Sequence, residues 1–285
     1  MIRDVIMRML GGRAHDFGMH TVEVMAKKVS KIGYSSIQLA LTKAIYGMDF
    51  SLGTLSPGMA FYICDTFAKE NVHIAVLGCY INPIHPDIDE RKSQLDRFKE
   101  HIRFARDFSC SVIGTETGSL NMDYSYKNEN ESEEAFGTLI ESLRELVVEA
   151  EKFGVIVGIE GGKNEVISSP RKMKRVLDII ISNNLQVIYD PVNYLSVGNY
   201  INQDDIIKEA FELFGDRIVI VHAKDFHIVE GTIKTTAPGK GSLNYELLLK
   251  FLKARKPFVN ILLEDIDETE MEESMKFIRD VYDTV

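Results

Sequence analysis

Short apolar runs recur along this chain at intervals of roughly 30–40 residues, the spacing of a strand–helix unit. They are Val5–Leu10, Ser36–Leu41, His73–Cys79, Val112–Glu116, Val155–Glu160, Leu185–Asp190, Ile218–His222 and Val259–Glu264. Most are apolar on both faces instead of alternating, which suits parallel strands covered on both sides. Amphipathic segments with readable starts lie between them. Ser56-Pro57 and Ser169-Pro170 each place a capping hydroxyl before a proline at the first helical position. Val22, Met25, Val29 and Ile32 form an apolar stripe that Gly33 ends. Thr269 and Glu272 read as a capping box ahead of Met275, Ile278 and Tyr282. Eight such units predict an α/β fold, a (β/α)8 TIM barrel, over residues 1–285 as a single domain. The polar piece Asp123–Glu134 reads as a long loop on the face where active sites of such barrels lie.

Length and charge narrow the picture. The 285 residues fit one barrel, which takes about 250. The net charge of −10 argues against an extended phosphate-binding surface, so no nucleic-acid partner is expected. Cys64, Cys79 and Cys110 are too far apart for a CxxC motif and read as reduced thiols. No apolar stretch is long enough to span a bilayer, and Arg3, Asp4 and Arg8 interrupt the first ten residues. A cytoplasmic protein with no membrane partner is the expectation.

The candidate chemistry sits at the C-terminal ends of the last four runs. Glu160 leaves its run in Gly158-Ile159-Glu160-Gly161-Gly162, where the glycines suggest close approach of a ligand. Asp190 precedes a proline in Asp190-Pro191-Val192-Asn193, His222 ends an apolar run, and Glu264 repeats the arrangement in the last one. One acid at a strand end is ordinarily a helix cap or a solvated group. In a closed parallel barrel, however, those ends converge on one face. Glu160, Asp190, His222 and Glu264 would then make an oxygen-and-nitrogen cage for one divalent cation: Mn, Mg, Co or Zn.

With these residues the chain resembles the xylose isomerase-like TIM-barrel superfamily, which includes ketose 3-epimerases, inosose dehydratase and endonuclease IV-type enzymes. The likeness runs from about Gly33 to the final helix. It is carried by Glu160, Asp190-Pro191-Val192-Asn193, His222-Ala223-Lys224-Asp225, Pro238-Gly239-Lys240-Gly241 and Glu264. The resemblance implies that the four strand-end residues hold the ion and that Glu160 and Glu264 also serve as acid and base. Two positions depart from the pattern. Asn193 stands where a histidine is usual, and Ile228 where the epimerases place a substrate-binding arginine. Thr235 replaces a histidine of the endonuclease branch, leaving its three-zinc cluster incomplete.

The reaction this implies is isomerisation or epimerisation of a sugar or sugar phosphate, by proton abstraction beside a carbonyl through a metal-stabilised enediolate. Lys224 follows His222 by two residues, so on a strand it faces the same way and is a candidate for a substrate oxygen. His85, Glu116, Asn193 and Lys240 are the further substrate-binding candidates. His15, His20, His73, His101 and His227 lie outside any constellation. The His-x-Lys-Asp segment also resembles inosose dehydratase, which makes loss of water from a polyol ketone the alternative reaction. An endonuclease and a non-catalytic sugar-binding barrel are the alternatives from other classes. The expected partner is a small carbohydrate, and the chain is a possible homo-oligomer.

Overall fold

The computed structural model describes Ile6 and residues 9–285. Eight parallel strands close into a barrel in the order β1-β10-β7-β6-β5-β4-β3-β2. They are β1 (Leu10–Arg13), β2 (Ser36–Leu39), β3 (His73–Gly78), β4 (Val112–Glu116), β5 (Ile156–Glu160), β6 (Leu185–Tyr189), β7 (Ile218–Ala223) and, after a hairpin, β10 (Asn260–Leu263). The hairpin pairs β8 (Asp225–Val229) antiparallel with β9 (Thr232–Thr236). The helices are α1 (Val22–Ile32), the short α2 (Leu41–Ala44), α3 (Pro57–Lys69), α4 (Ile88–Phe104), α5 (Glu133–Phe153), α6 (Pro170–Ile179), α7 (Gln203–Phe214), α8 (Tyr245–Arg255) and α9 (Met271–Thr284). No described helix is long and apolar enough to cross a membrane.

Two apolar layers hold this arrangement. Inside the barrel, Val76, Val112, Ile188, Ile220 and Leu262 pack as a separate cluster. Outside it, each helix turns one stripe inward. On α5 that stripe includes Leu139, Leu143, Leu146 and Ala150, all fully buried. Burying each such leucine contributes about 1.5–3 kcal/mol relative to leaving it in water. Ser56 and Ser169 cap α3 and α6 by accepting from Met59 N and Lys172 N, as the Ser-Pro signals require. Gly33 closes α1 in the left-handed region, at φ 93°.

Two expectations need correction. The first strand was placed at Val5–Leu10, but it runs Leu10–Arg13, and Val5, Met7 and Arg8 lie outside the described residues. The actual strand, Leu-Gly-Gly-Arg, carries little apolar signal because neither of its glycines has room for a side chain. A Cβ on Gly11 would lie 2.0 Å from Ser36 O. The Thr269–Glu272 capping box does not form, since a 3-10 turn at Glu268–Glu270 leads into α9 without a side-chain cap. The β8–β9 hairpin was not anticipated.

Candidate active site

The barrel brings the four strand-end residues together. Glu160 is the last residue of β5, Asp190 follows β6, His222 is the penultimate residue of β7 and Glu264 follows β10. Each offers one ligand atom, these atoms all lie within 4.8 Å of one another, and all four residues are buried. Donors on opposite sides of a small six-coordinate cation lie about 4.2 Å apart. Three carboxylates and an imidazole this close therefore fit one divalent ion, and the cluster could hold one.

His222 organises the cluster. Its Nδ1 is 2.9 Å from Glu160 Oε1 and 2.9 Å from Glu264 Oε2. Its Nε2 is 2.9 Å from Gln38 Oε1. The Gln38 amide is itself fixed, because its Nε2 donates to the Tyr80 hydroxyl. Gln38 therefore presents an acceptor, and the Nε2 of His222 carries a proton. Burial would lower the pKa of His222, but the Glu160 and Glu264 carboxylates outweigh it and raise it to about 10.

Lys224 and Arg13 supply the other positive charges. Lys224 Nζ lies 2.9 Å from Glu264 Oε1 and 3.1 Å from Asp190 Oδ2. Despite burial, those carboxylates hold its pKa well above the ordinary lysine value. Arg13, from the end of β1, approaches Glu264 Oε1 at 3.1 Å and pairs with Asp16 and Asp265. Burial alone would raise Glu264, yet Lys224, His222 and Arg13 hold it well below the carboxylate range. Asp190 goes the other way, pushed by burial to about 7 with Lys224 opposing. Its Oδ1 accepts from Val192 N at 2.8 Å and Asn193 N at 3.3 Å. Its buried Oδ2, though 3.1 Å from Lys224 Nζ, has no partner in hydrogen-bond geometry among the described residues. An unbonded carboxylate oxygen inside a four-donor cluster is what a metal ligand requires.

Glu160 and Glu264 of the cluster, with Lys224, line a cavity of about 780 Å³. Asn193 lines it and donates to Glu160 Oε1 at 2.8 Å. Glu116 lines it too, one strand from Glu160 and in register with it. Burial and then the Glu160 charge raise Glu116 to about 7. The 117–132 loop does reach this face, delivering Met122 and Tyr124, with Tyr124 strained at φ 56°. His85 does not line the cavity. Its Nδ1 accepts from Asp87 N at 3.1 Å, at the start of α4. Lys240 is also drawn away, into an ion pair with Glu273 of α9 at 2.6 Å. Of the glycines after Glu160, Gly161 serves packing, since a Cβ there would lie 2.6 Å from both Ile167 O and the Tyr194 hydroxyl, while Gly162 lines the cavity.

Sequence reasoning misses Arg13, Lys43, Tyr80, Tyr124 and Glu165, which line the cavity, and Gln38, which bonds His222 behind it. Gln38 had a signal, as the one amide in an otherwise apolar run. His15, read as an ordinary polar residue, lines the cavity edge-on to the Tyr80 ring, with centroids 6.1 Å apart. Burial, then Arg13 and Lys43, lower its pKa to about 4. Glu165 is buried, and its Oε2 accepts from Thr117 N, Thr117 Oγ1 and Gly118 N at 2.7, 2.8 and 3.1 Å.

A closed parallel barrel with a buried acid–imidazole cluster at the C-terminal ends of its strands is a TIM barrel with a cluster that could hold a metal ion. The sequence model of the xylose isomerase-like TIM barrel family matches residues 26–281, and the chain belongs to that family. No curated protein matches the chain in sequence. Among solved structures, 3-keto-D-glucoside 4-epimerase YcjR from E. coli superposes with TM-score 0.73 at 14% identity, covering 95% of this chain and 99% of that one. D-psicose 3-epimerase with D-tagatose, from Clostridium cellulolyticum H10, gives 0.71 at 15% identity, with 97% and 98% covered. The IolI protein with a bound zinc atom gives 0.71 at 15% identity, with 96% and 98% covered. At these identities the likeness is one of fold.

Proposed function

We propose that this protein is a divalent-metal-dependent isomerase or epimerase of a carbohydrate, with Glu160, Asp190, His222 and Glu264 as the metal ligands. The observation that carries the reading is the meeting of Glu160 and Glu264 at His222. Strands separated by β6 and β7 in the barrel order bring one oxygen of each carboxylate to 2.9 Å from the same ring nitrogen. Sugar epimerases among the proteins of like fold support the substrate class, and the zinc in IolI supports the metal.

The residues fit the ion through their donor set, their spacing and the unbonded oxygen of Asp190. With one proton held at Nε2 by Gln38, His222 can give up its Nδ1 proton and offer that lone pair to an ion among the carboxylates. A bound divalent ion supplies Lewis acidity, which acidifies the C–H beside a carbonyl. The protein's own groups move the proton. One of the two glutamates takes it from the α-carbon, and the other returns a proton to the opposite face or to the neighbouring carbon. Lys224 Nζ faces the charge that develops on the substrate oxygen. Asn193 holds Glu160 Oε1 in place, and Glu116 contacts the substrate from the next strand.

Lys224, a buried ammonium in the cavity, favours a second reading in which it protonates a departing hydroxyl and the enzyme is a dehydratase. Incubating metal-loaded protein in D2O with ketoses, hexuronates and inososes, and following the sugars by NMR, tests both. The isomerase reading expects deuterium at the carbon beside the carbonyl, and Glu264→Gln slows that exchange at least about 100-fold with the fold intact. Loss of water points to the dehydratase, and exchange that survives Glu264→Gln removes Glu264 as an essential base.

A further inference from the structure

We propose that the active-site cavity continues into a second subsite that binds a neutral, polyhydroxylated group joined to the reacting sugar. The substrate would then be a glycosyl-ketose, not a free or phosphorylated monosaccharide. This inference rests on the carbohydrate reading above and deepens it.

A second cavity of about 590 Å³ adjoins the first, and Glu90, Gln94 and Arg97 line both. The two share one polar wall, the first turns of α4. Either cavity alone falls in the range of about 300–1,000 Å³ that encloses a drug-sized ligand, so the pair exceeds what one sugar ring needs.

The second cavity has the chemistry of a sugar site. Tyr46, 59% exposed, offers a ring against which the C–H face of a sugar can lie, and Leu52 extends that apolar edge. Asp49 of the same segment, with Glu90, Ser93 and Gln94 of α4, adds a mixture of donors and acceptors suited to hydroxyl groups. Asp49 and Glu90 outnumber Arg97, which already donates to Tyr80 O at 2.7 Å. A phosphate would meet net repulsion there.

The site is also built in advance. Asp49 Oδ1 accepts from Ser51 N at 2.9 Å and from Ser51 Oγ at 2.7 Å. Glu100 Oε1 accepts from Gly53 N at 3.0 Å, and Tyr46 N donates to His20 O at 3.0 Å. On the shared wall, Gln94 Oε1 accepts from Asn82 N at 2.7 Å while its Nε2 donates to Glu90 Oε1 at 3.1 Å. A segment pinned at these points does not have to be ordered by its ligand, which spares binding that entropy.

The test is binding to metal-loaded protein by titration calorimetry and saturation-transfer NMR. The probes are D-fructose, D-fructose 6-phosphate and three glucosyl-fructoses: turanose, maltulose and palatinose. At least one glucosyl-fructose should bind about 10-fold or more tighter than D-fructose, with saturation transfer to its glucosyl ring. Ser93→Trp, which fills the subsite, and Tyr46→Ala, which removes its platform, should each abolish that advantage and leave D-fructose affinity unchanged. D-fructose binding without any preference for its glucosides overturns the subsite and leaves the carbohydrate reading standing. Tightest binding of D-fructose 6-phosphate, weakened by Ser93→Trp, replaces the neutral group with an anion. Binding of none of the five overturns the carbohydrate reading and the subsite with it.

Discussion

The Nε2 of His222 and the Oε1 of Gln38 meet at 2.9 Å across the barrel mouth, joining β7 to β2. This contact keeps a proton on Nε2 and aims Nδ1 at Glu160 and Glu264, so Nδ1 is the nitrogen left for an ion. Gln38 acts through His222 and is a positioning residue. Gln38→Leu should weaken Mn or Zn affinity by roughly 10–100-fold, the usual effect of removing a partner of a metal-binding histidine. Titration of metal-free protein against a chelator measures this. Unchanged affinity would mean that the contact does nothing for the ion.

Tyr189 packs beneath the site at zero exposure, its ring within about 6 Å of those of Tyr194, Phe211 and Phe214. Its hydroxyl is buried without a partner among the described residues. Tyr189→Phe keeps the ring contacts and removes an unsatisfied polar atom, so it should be neutral or stabilising by about 1 kcal/mol. Tyr189→Ala should cost about 3–5 kcal/mol. Urea unfolding distinguishes these outcomes, and a clear loss of stability in the phenylalanine variant would show that the hydroxyl has a structural partner.

His101, on α4, is 5% exposed and donates from Nδ1 to Arg97 O at 2.9 Å. Burial lowers its pKa from 6.5 to about 4. The unfolded chain therefore takes up this proton first as the pH falls, which favours unfolding. Relative to His101→Gln, the wild type should lose up to about 3 kcal/mol between pH 6.5 and 4, with a flat difference on either side. Denaturant titrations across that range check the sign, and a wild-type gain toward acid would contradict it.

The sequence revealed the fold and the cluster because both are written in local runs. Each of the later strands carries its own apolar stretch and its own terminal acid or imidazole, so barrel closure alone predicts the meeting of Glu160, Asp190, His222 and Glu264. What stayed hidden depends on contacts between distant segments. Strand β1 carries two glycines because Ser36 crowds Gly11 and the Tyr34 ring crowds Gly12, which erases the apolar signal. The hairpin strand Thr232–Thr236 is largely exposed and polar. Its turn signal lies in Glu230 and Gly231, both with positive φ (49° and 69°), rather than in any hydrophobic period. Lys240 is claimed by Glu273 from a helix more than thirty residues downstream, which no motif announces.

Metal content measured per chain, for wild type and for His222→Ala and Asp190→Ala, tests the central claim most directly. Protein stripped and reloaded with Mn or Zn, then analysed by plasma mass spectrometry, should retain close to one ion per chain in the wild type. Both variants should retain almost none while keeping their circular dichroism. Wild-type protein that retains no ion, or variants that retain as much as the wild type, would contradict the metal site and the isomerase reading built on it.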